Sequence, residues 1–134
     1  MLRMTVKEFR ERFGNQVKKS KYKNEPIEID GHKFPSHKEA NRYCELKLLQ
    51  EAGKISNLRL QVRFELIPNQ YETLPNGKRG KLLERKTDYV ADFVYMEGRE
   101  LIVEDVKSKA TKTQVYIVKR KLMLKVYGIW IKEV

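Results

Sequence analysis

Three acids and one lysine carry the residue types and spacing that could do chemistry. Asp92 stands in Tyr89-Val90-Ala91-Asp92-Phe93-Val94-Tyr95, a run apolar at nearly every other position. Strand alternation puts Val90, Asp92 and Val94 on one face and Ala91, Phe93 and Tyr95 on the other. Both faces are apolar, so a carboxylate sits in a row that should be buried, where it is costly unless paired, hydrogen-bonded or metal-bound. Leu101, Val103, Asp105 and Lys107 share a face of the next predicted strand, and Glu104 turns to the other face with Ile102 and Val106. If these two strands pair around Gly98, Asp92 and Asp105 approach each other. Two carboxylates ~4 Å apart repel by about 4 kcal/mol at an effective dielectric of 20. Lys107, a divalent cation or both must offset that repulsion, and oxygen ligands suit magnesium, with manganese as a substitute. The third acid, Glu39, closes the capping box Ser36-His37-Lys38-Glu39 and lies on the helical face of Tyr43 and Leu46. Each has a purely structural alternative: a helix cap for Glu39, a buried hydrogen-bonded acid for Asp92, a strand-end ion pair for Asp105 and Lys107.

These residues need elements to hold them. Thr5-Val6-Lys7-Glu8 reads as a capping box opening a short helix that ends near Gly14, followed by a basic arm over 15–24. Ile27 to Phe34 reads as two short strands around Asp30-Gly31, and Ser36 opens a helix reaching about Ala52, with Gly53 as its stop. Leu58 to Leu66 alternates as a strand with one buried face. The stretch from Pro68 to Gly80 reads as a turn-rich loop, and strands over Tyr89–Tyr95 and Glu100–Val106 join at Glu97-Gly98-Arg99. A helix over Thr111–Tyr127 carries the apolar stripe Val115, Val118, Leu122 and Val126, Gly128 stops it, and Ile129-Trp130-Ile131 supplies a last strand. The expected order is helix, three strands, helix, strand: a mixed α/β domain, with 1–34 as an appendage and 35–134 as the core.

The chain has 134 residues, 29 Lys and Arg against 18 Asp and Glu, and a net charge of +11. That length supports one domain. No apolar run approaches the ~20 residues of a membrane span, and the first residues do not read as a secretory signal. With one cysteine, Cys44, and two histidines, an internal disulfide is impossible and a Cys/His zinc site is not expected. The expected location is the cytoplasm, since a reducing compartment fits a lone cysteine. Seven basic residues and no acid lie between Lys107 and Lys125; a second group is Lys78, Arg79, Lys81, Arg85 and Lys86, and a third is Lys18, Lys19, Lys21 and Lys23. Nucleic acid is the expected partner, because Lys and Arg release counterions on meeting phosphates.

Taken in order, Glu39, then Asp92, then Asp105-Val106-Lys107, then a basic helix resemble the PD-(D/E)XK nuclease superfamily. More closely, Ser36-His37-Lys38-Glu39-Ala40, Gln61-Val62-Arg63-Phe64, Ala91-Asp92-Phe93 and Glu104-Asp105-Val106-Lys107-Ser108 resemble small phage and prophage nucleases. Residue 91 is Ala where the superfamily's name has Pro, and the second acid is Asp rather than the commoner Glu. The resemblance implies a restriction-endonuclease-like core, a central mixed sheet flanked by helices. It implies that Asp92 and Asp105 bind Mg2+ with the Val106 carbonyl, that Glu39 completes the acidic set, and that Lys107 positions or activates the attacking water. The implied activity is endonucleolytic hydrolysis of DNA, including branched DNA as cut by a Holliday junction resolvase in phage recombination, by a homodimer. Lys112, Tyr116 and Lys119 share one side of the last helix and, with Lys109, are expected against the DNA backbone, and Gln61 at the site; an ordinary surface glutamine and, for Tyr116, a core role are the alternatives. The competing functions are a non-catalytic basic DNA-binding module and an RNA nuclease or binder.

Overall fold

The computed structural model describes residues 26–134; the helix expected over Thr5–Gly14 and the basic arm over 15–24 lie outside them. Strands β1 (Ile27–Ile29) and β2 (His32–Phe34) pair antiparallel, Ile27 opposite Phe34. Asp30 and Gly31 both have positive φ, +53° and +80°, the backbone a two-residue turn of this hand requires. Helix α1 (His37–Glu51) follows, the Ser36 hydroxyl accepting the Glu39 N–H at 3.2 Å. The cap sits where the sequence puts it, and Gly53 follows the helix at φ +74°.

A mixed four-stranded sheet has the order β3-β6-β7-β8: β3 (Ser56–Ile67), β6 (Thr87–Glu97), β7 (Glu100–Asp105) and β8 (Lys132–Glu133). Strands β6 and β7 meet at a two-residue turn whose Gly98 has φ +61°. β8 runs parallel to β7, Glu104 opposite Lys132 and Asp105 opposite Glu133. Helix α2 (Gln114–Tyr127) provides the crossover, capped by the Thr113 hydroxyl and ended by Gly128 in the left-handed conformation. The protein is thus α/β, with a mixed central sheet and two helices among the described residues. None of those helices is long and apolar enough to cross a membrane.

The chain forms two compact units interleaved in sequence. One comprises the described residues to Arg59 with Phe93–Ile102. Its core gathers Ile27, Ile29, Phe34, Ala40, Tyr43, Leu46, Phe93, Val94 and Tyr95, with the Tyr43 hydroxyl donating to Asp30 at 2.8 Å. Cys44 is buried there as a free thiol, which burial pushes up to about 11. The other comprises Leu60–Asp92 with Val103–Val134, built on Leu66, Tyr89, Ala91, Val103, Tyr116, Met123 and Ile131. Phe64 stacks on Tyr89 and meets the edge of Tyr127.

Several details depart from the sequence reading. The loop expected over Pro68–Gly80 is an antiparallel ribbon, β4 (Gln70–Thr73) with β5 (Arg79–Glu84). Its prolines and glycines mark the base and tip, and its strands bury neither face, so no alternation announces them. On α2 the stripe Val115, Val118 and Val126 is exposed, while Tyr116 and Met123 are buried. A tyrosine buries a larger ring than a valine and also finds a polar partner here, so it takes the inward side. The last strand begins at Lys132 rather than Ile129, because pairing with β7 starts opposite Glu104; Ile131 is buried and Trp130 is 68% exposed. Along β3 only Leu66 is fully buried; Leu58, Leu60, Val62 and Phe64 are half-buried.

Candidate functional site

The site is built on the middle of β6 and the adjacent end of β7. Alternation along β6 leaves Asp92 half-buried between the buried Ala91 and Phe93. Asp105 ends β7 and is 3% exposed. Because the two strands meet at the Gly98 turn, Asp92 and Asp105 fall opposite each other on neighbouring strands, close enough for Asp92 to push Asp105 up. The next residue ties them further, the Val106 N–H donating to Asp92 Oδ2 at 2.9 Å.

Burial raises Asp105 first, and its hydrogen bond and charge repulsion with Asp92 raise it further, to about 8; the Tyr89 hydroxyl and Lys107 pull the other way without reversing the shift. Tyr89 Oη donates to Asp105 Oδ2 at 2.7 Å, and burial beside that acid drives the phenol far above its ordinary value. Lys107 Nζ lies 3.5 Å from the same oxygen and 4.3 Å above the Tyr116 ring. The Lys107 side chain is therefore held between the Asp105 carboxyl group and an aromatic face. The chain's end fixes the backbone around it: Lys107 N–H donates to the Val134 carbonyl and Val134 N–H to the Asp105 carbonyl, each at 3.0 Å.

On the neighbouring strand β3, Gln61 Nε2 reaches Asp92 Oδ1 across a long 3.4 Å. Gln61 has φ +53°, a conformation a non-glycine residue adopts at a cost of about 1 kcal/mol. Glu39 belongs to the other unit, buried in the first turn of α1 with its N–H capped by Ser36. The structure therefore brings together Asp92, Asp105, Val106, Lys107 and Gln61, with Glu39 described apart. Among the basic candidates, Lys112 Nζ is paired to Glu133 Oε1 at 3.1 Å, Lys109 is exposed and Lys119 is half-buried.

Tyr89 is a site residue the sequence reading did not assign, and Tyr116, expected against DNA or in the core, is buried beside the site. Each is buried with its hydroxyl on an acid, Asp105 for one and Glu133 at 2.6 Å for the other. A tyrosine in an apolar strand or on a helix's inward face signals a buried polar tip, but nothing in the sequence names a partner 16 or 17 positions away.

Among the described residues, no group of three or more His, Cys, Asp or Glu side chains could hold a metal ion. The available donors are the Asp92 and Asp105 carboxyl groups, and Val106 is tied to them through its N–H. That oxygen set fits magnesium, which is commonly held by one or two carboxylates, with waters and substrate phosphate completing its shell.

The molecule is thus an α/β protein that sets a half-buried and a buried acid, a tyrosine hydroxyl and a lysine together on two neighbouring strands of a mixed sheet. Residues 19–132 match the family described as "Protein of unknown function (DUF1064)", and the chain belongs to that family. No curated protein and no solved structure matches it.

Proposed function

We propose that the protein is a divalent-metal-dependent endodeoxyribonuclease with a restriction-endonuclease-like core. The observation that carries this reading is the convergence of Asp92 and Asp105, two acids from different strands, with Lys107 at 3.5 Å from Asp105. Two carboxyl groups in mutual contact cannot both ionise cheaply, so one of them keeps its proton until a divalent cation takes its place. In this reading Asp92 and Asp105, with the Val106 carbonyl, hold Mg2+ or Mn2+. The bound metal supplies Lewis-acid polarisation of a phosphoryl oxygen and lowers the pKa of a bound water. The Val106 N–H and the Gln61 amide orient Asp92, the Tyr89 hydroxyl orients Asp105, and Lys107 donates to the attacking water or to a phosphate oxygen. Lys109, Lys112 and Lys119 approach the DNA backbone, and Glu39's part as a third acid rests on the resemblance alone. Branched DNA, including four-way junctions in phage recombination, is the proposed substrate group, and a homodimer the proposed assembly.

One observation favours a second reading, a non-catalytic DNA-binding module. Tyr89 and Lys107 already satisfy Asp105 within the protein, so the acids serve a structural purpose without metal. Incubating linear, flapped and four-way junction DNA with magnesium, and again with chelator, separates the two. The nuclease cuts at least one substrate only with metal; binding without any cutting selects the module.

A further inference from the structure

The ribbon β4–β5 is left over by the site. It spans eighteen residues from Asn69 to Lys86 and forms a two-stranded sheet of its own. Isolated two-stranded ribbons are marginal in water, yet this one is fastened at several points. The Lys86 N–H donates to Asn69 Oδ1 at 2.6 Å across its base. Arg79 lies 4.0 Å over the Tyr71 ring. At the tip, Leu74 N–H donates to the Lys78 carbonyl and Gly77, at φ +80°, donates to the Leu74 carbonyl. Gly80 lets the two strands approach closely, since a Cβ there would stand 3.0 Å from that of Glu72 and press it aside. Register shifts on both sides of Tyr71 bend the ribbon away from a flat edge.

Order of this kind in a segment that buries almost nothing points to a contact surface. Lys78, Arg79, Lys81, Arg85 and Lys86 are all exposed, against only Glu72 and Glu84 in the same stretch. Lys78, Lys81 and Arg85 have no acid within ion-pair reach among the described residues. Leu82 and Leu83 are also exposed, 41% and 56%, an apolar surface that solvent alone does not favour.

We infer that this ribbon is a DNA-grasping arm that lies in the major groove of B-form duplex, its lysines and arginines on the flanking phosphates. The inference rests on the reading of DNA as the partner and extends it to a surface away from the carboxylates. Size decides the groove. A two-stranded ribbon fits the roughly 12 Å major groove, whereas the minor groove is only about 6 Å wide. Seven residues from base to tip reach about 23 Å at ~3.3 Å each, enough to cross the groove. A-form RNA closes its major groove to such an element. The arm emerges directly from β3 and β6, the strands that carry Gln61 and Asp92, and belongs to the same unit as both acids.

The test is the salt dependence of binding by the full chain, in chelator, to a 30-base-pair DNA duplex and to the same sequence as RNA duplex. The triple variant Lys78→Gln, Lys81→Gln, Arg85→Gln removes three phosphate contacts. The slope of log affinity against log salt then falls by about 2.7, so the loss between 50 and 200 mM salt shrinks roughly 40-fold. Lys78→Arg with Lys81→Arg keeps the wild-type slope. The control Lys33→Gln, Lys47→Gln, Lys54→Gln removes the same charge from the other unit and changes the slope by less than one. An equal change in both triple variants, no change in the ribbon variant, or equal ribbon-dependent binding of the RNA duplex overturns the inference. Ribbon-dependent DNA binding without magnesium-dependent cutting upholds the arm and removes the nuclease.

Discussion

Two tyrosine–carboxylate pairs lie in the same unit and meet opposite fates. Tyr89 donates to Asp105 at 2.7 Å, and Tyr116 donates to Glu133 at 2.6 Å. The bond is the same; the shifts are opposed. Asp105 is buried against a second acid and is pushed up to about 8. Glu133 is partly open to solvent, with Lys112 and Arg120 each at 3.1 Å, and its hydrogen bonds, that from Tyr116 foremost, hold it down to about 2. A hydrogen bond from a phenol stabilises either carboxylate; burial and the second acid decide the first case, and cations with solvent the second. The first pair faces one cation, Lys107, and a second acid. The second faces two cations and, among the described residues, no other acid in contact.

The contrast breaks most visibly in catalysis. Asp92→Asn and Asp105→Asn should each reduce magnesium-dependent cutting on the order of 10³-fold while leaving DNA binding, and Glu133→Gln should cost less than tenfold. Cutting rates at saturating DNA check this, and full activity in both aspartate variants removes the site. Lys107→Ala should lower turnover roughly 10²-fold with a smaller change in affinity; an unchanged rate makes the lysine a bystander.

The pH dependence of stability sharpens the comparison further. With chelator present, Asp105 binds its proton more tightly folded than unfolded. Its contribution is fully present below about pH 4 and is lost as pH rises through about 8, a change of order a few kcal/mol. Glu133 has the opposite sign: its contribution is present above about pH 4.5 and is lost as pH falls toward 2. Urea midpoints across this range should show the first loss, and Asp105→Asn should abolish it. The smallest effect separates the phenols. Tyr89→Phe should destabilise by about 1–2 kcal/mol, because a buried acid loses its donor. Tyr116→Phe should cost about 0.5–1 kcal/mol, since Lys112 and Arg120 still serve Glu133. Equal shifts in denaturant midpoint would erase the distinction.

Legibility in the sequence followed how local the physics was. The Ser36 cap, the Asp30-Gly31 turn and the glycine stops were readable because backbone sterics and short hydrogen bonds act within four residues. Asp92 and Asp105 were readable as anomalies, since a carboxylate in an apolar row needs an explanation wherever the row folds. The ribbon was not readable as strands, because strands that bury neither face carry no period-two signal. The α2 stripe misled for the opposite reason: four apolar residues at helical spacing show which side can be buried, and here Tyr116 found a better partner.

Alternation, caps and charge thus determined, from the chain alone, an α/β arrangement, two misplaced acids with a lysine two positions on, and a polyanion as the expected partner. Tertiary structure decided what those groups do to one another. Tyr89 and Tyr116 were assigned to opposite electrostatic settings by residues 16 and 17 positions distant, and Asp105 was raised rather than lowered. The physical reason is range: backbone preference acts between neighbours, whereas desolvation and charge repulsion depend on which distant segments fold to within a few ångströms.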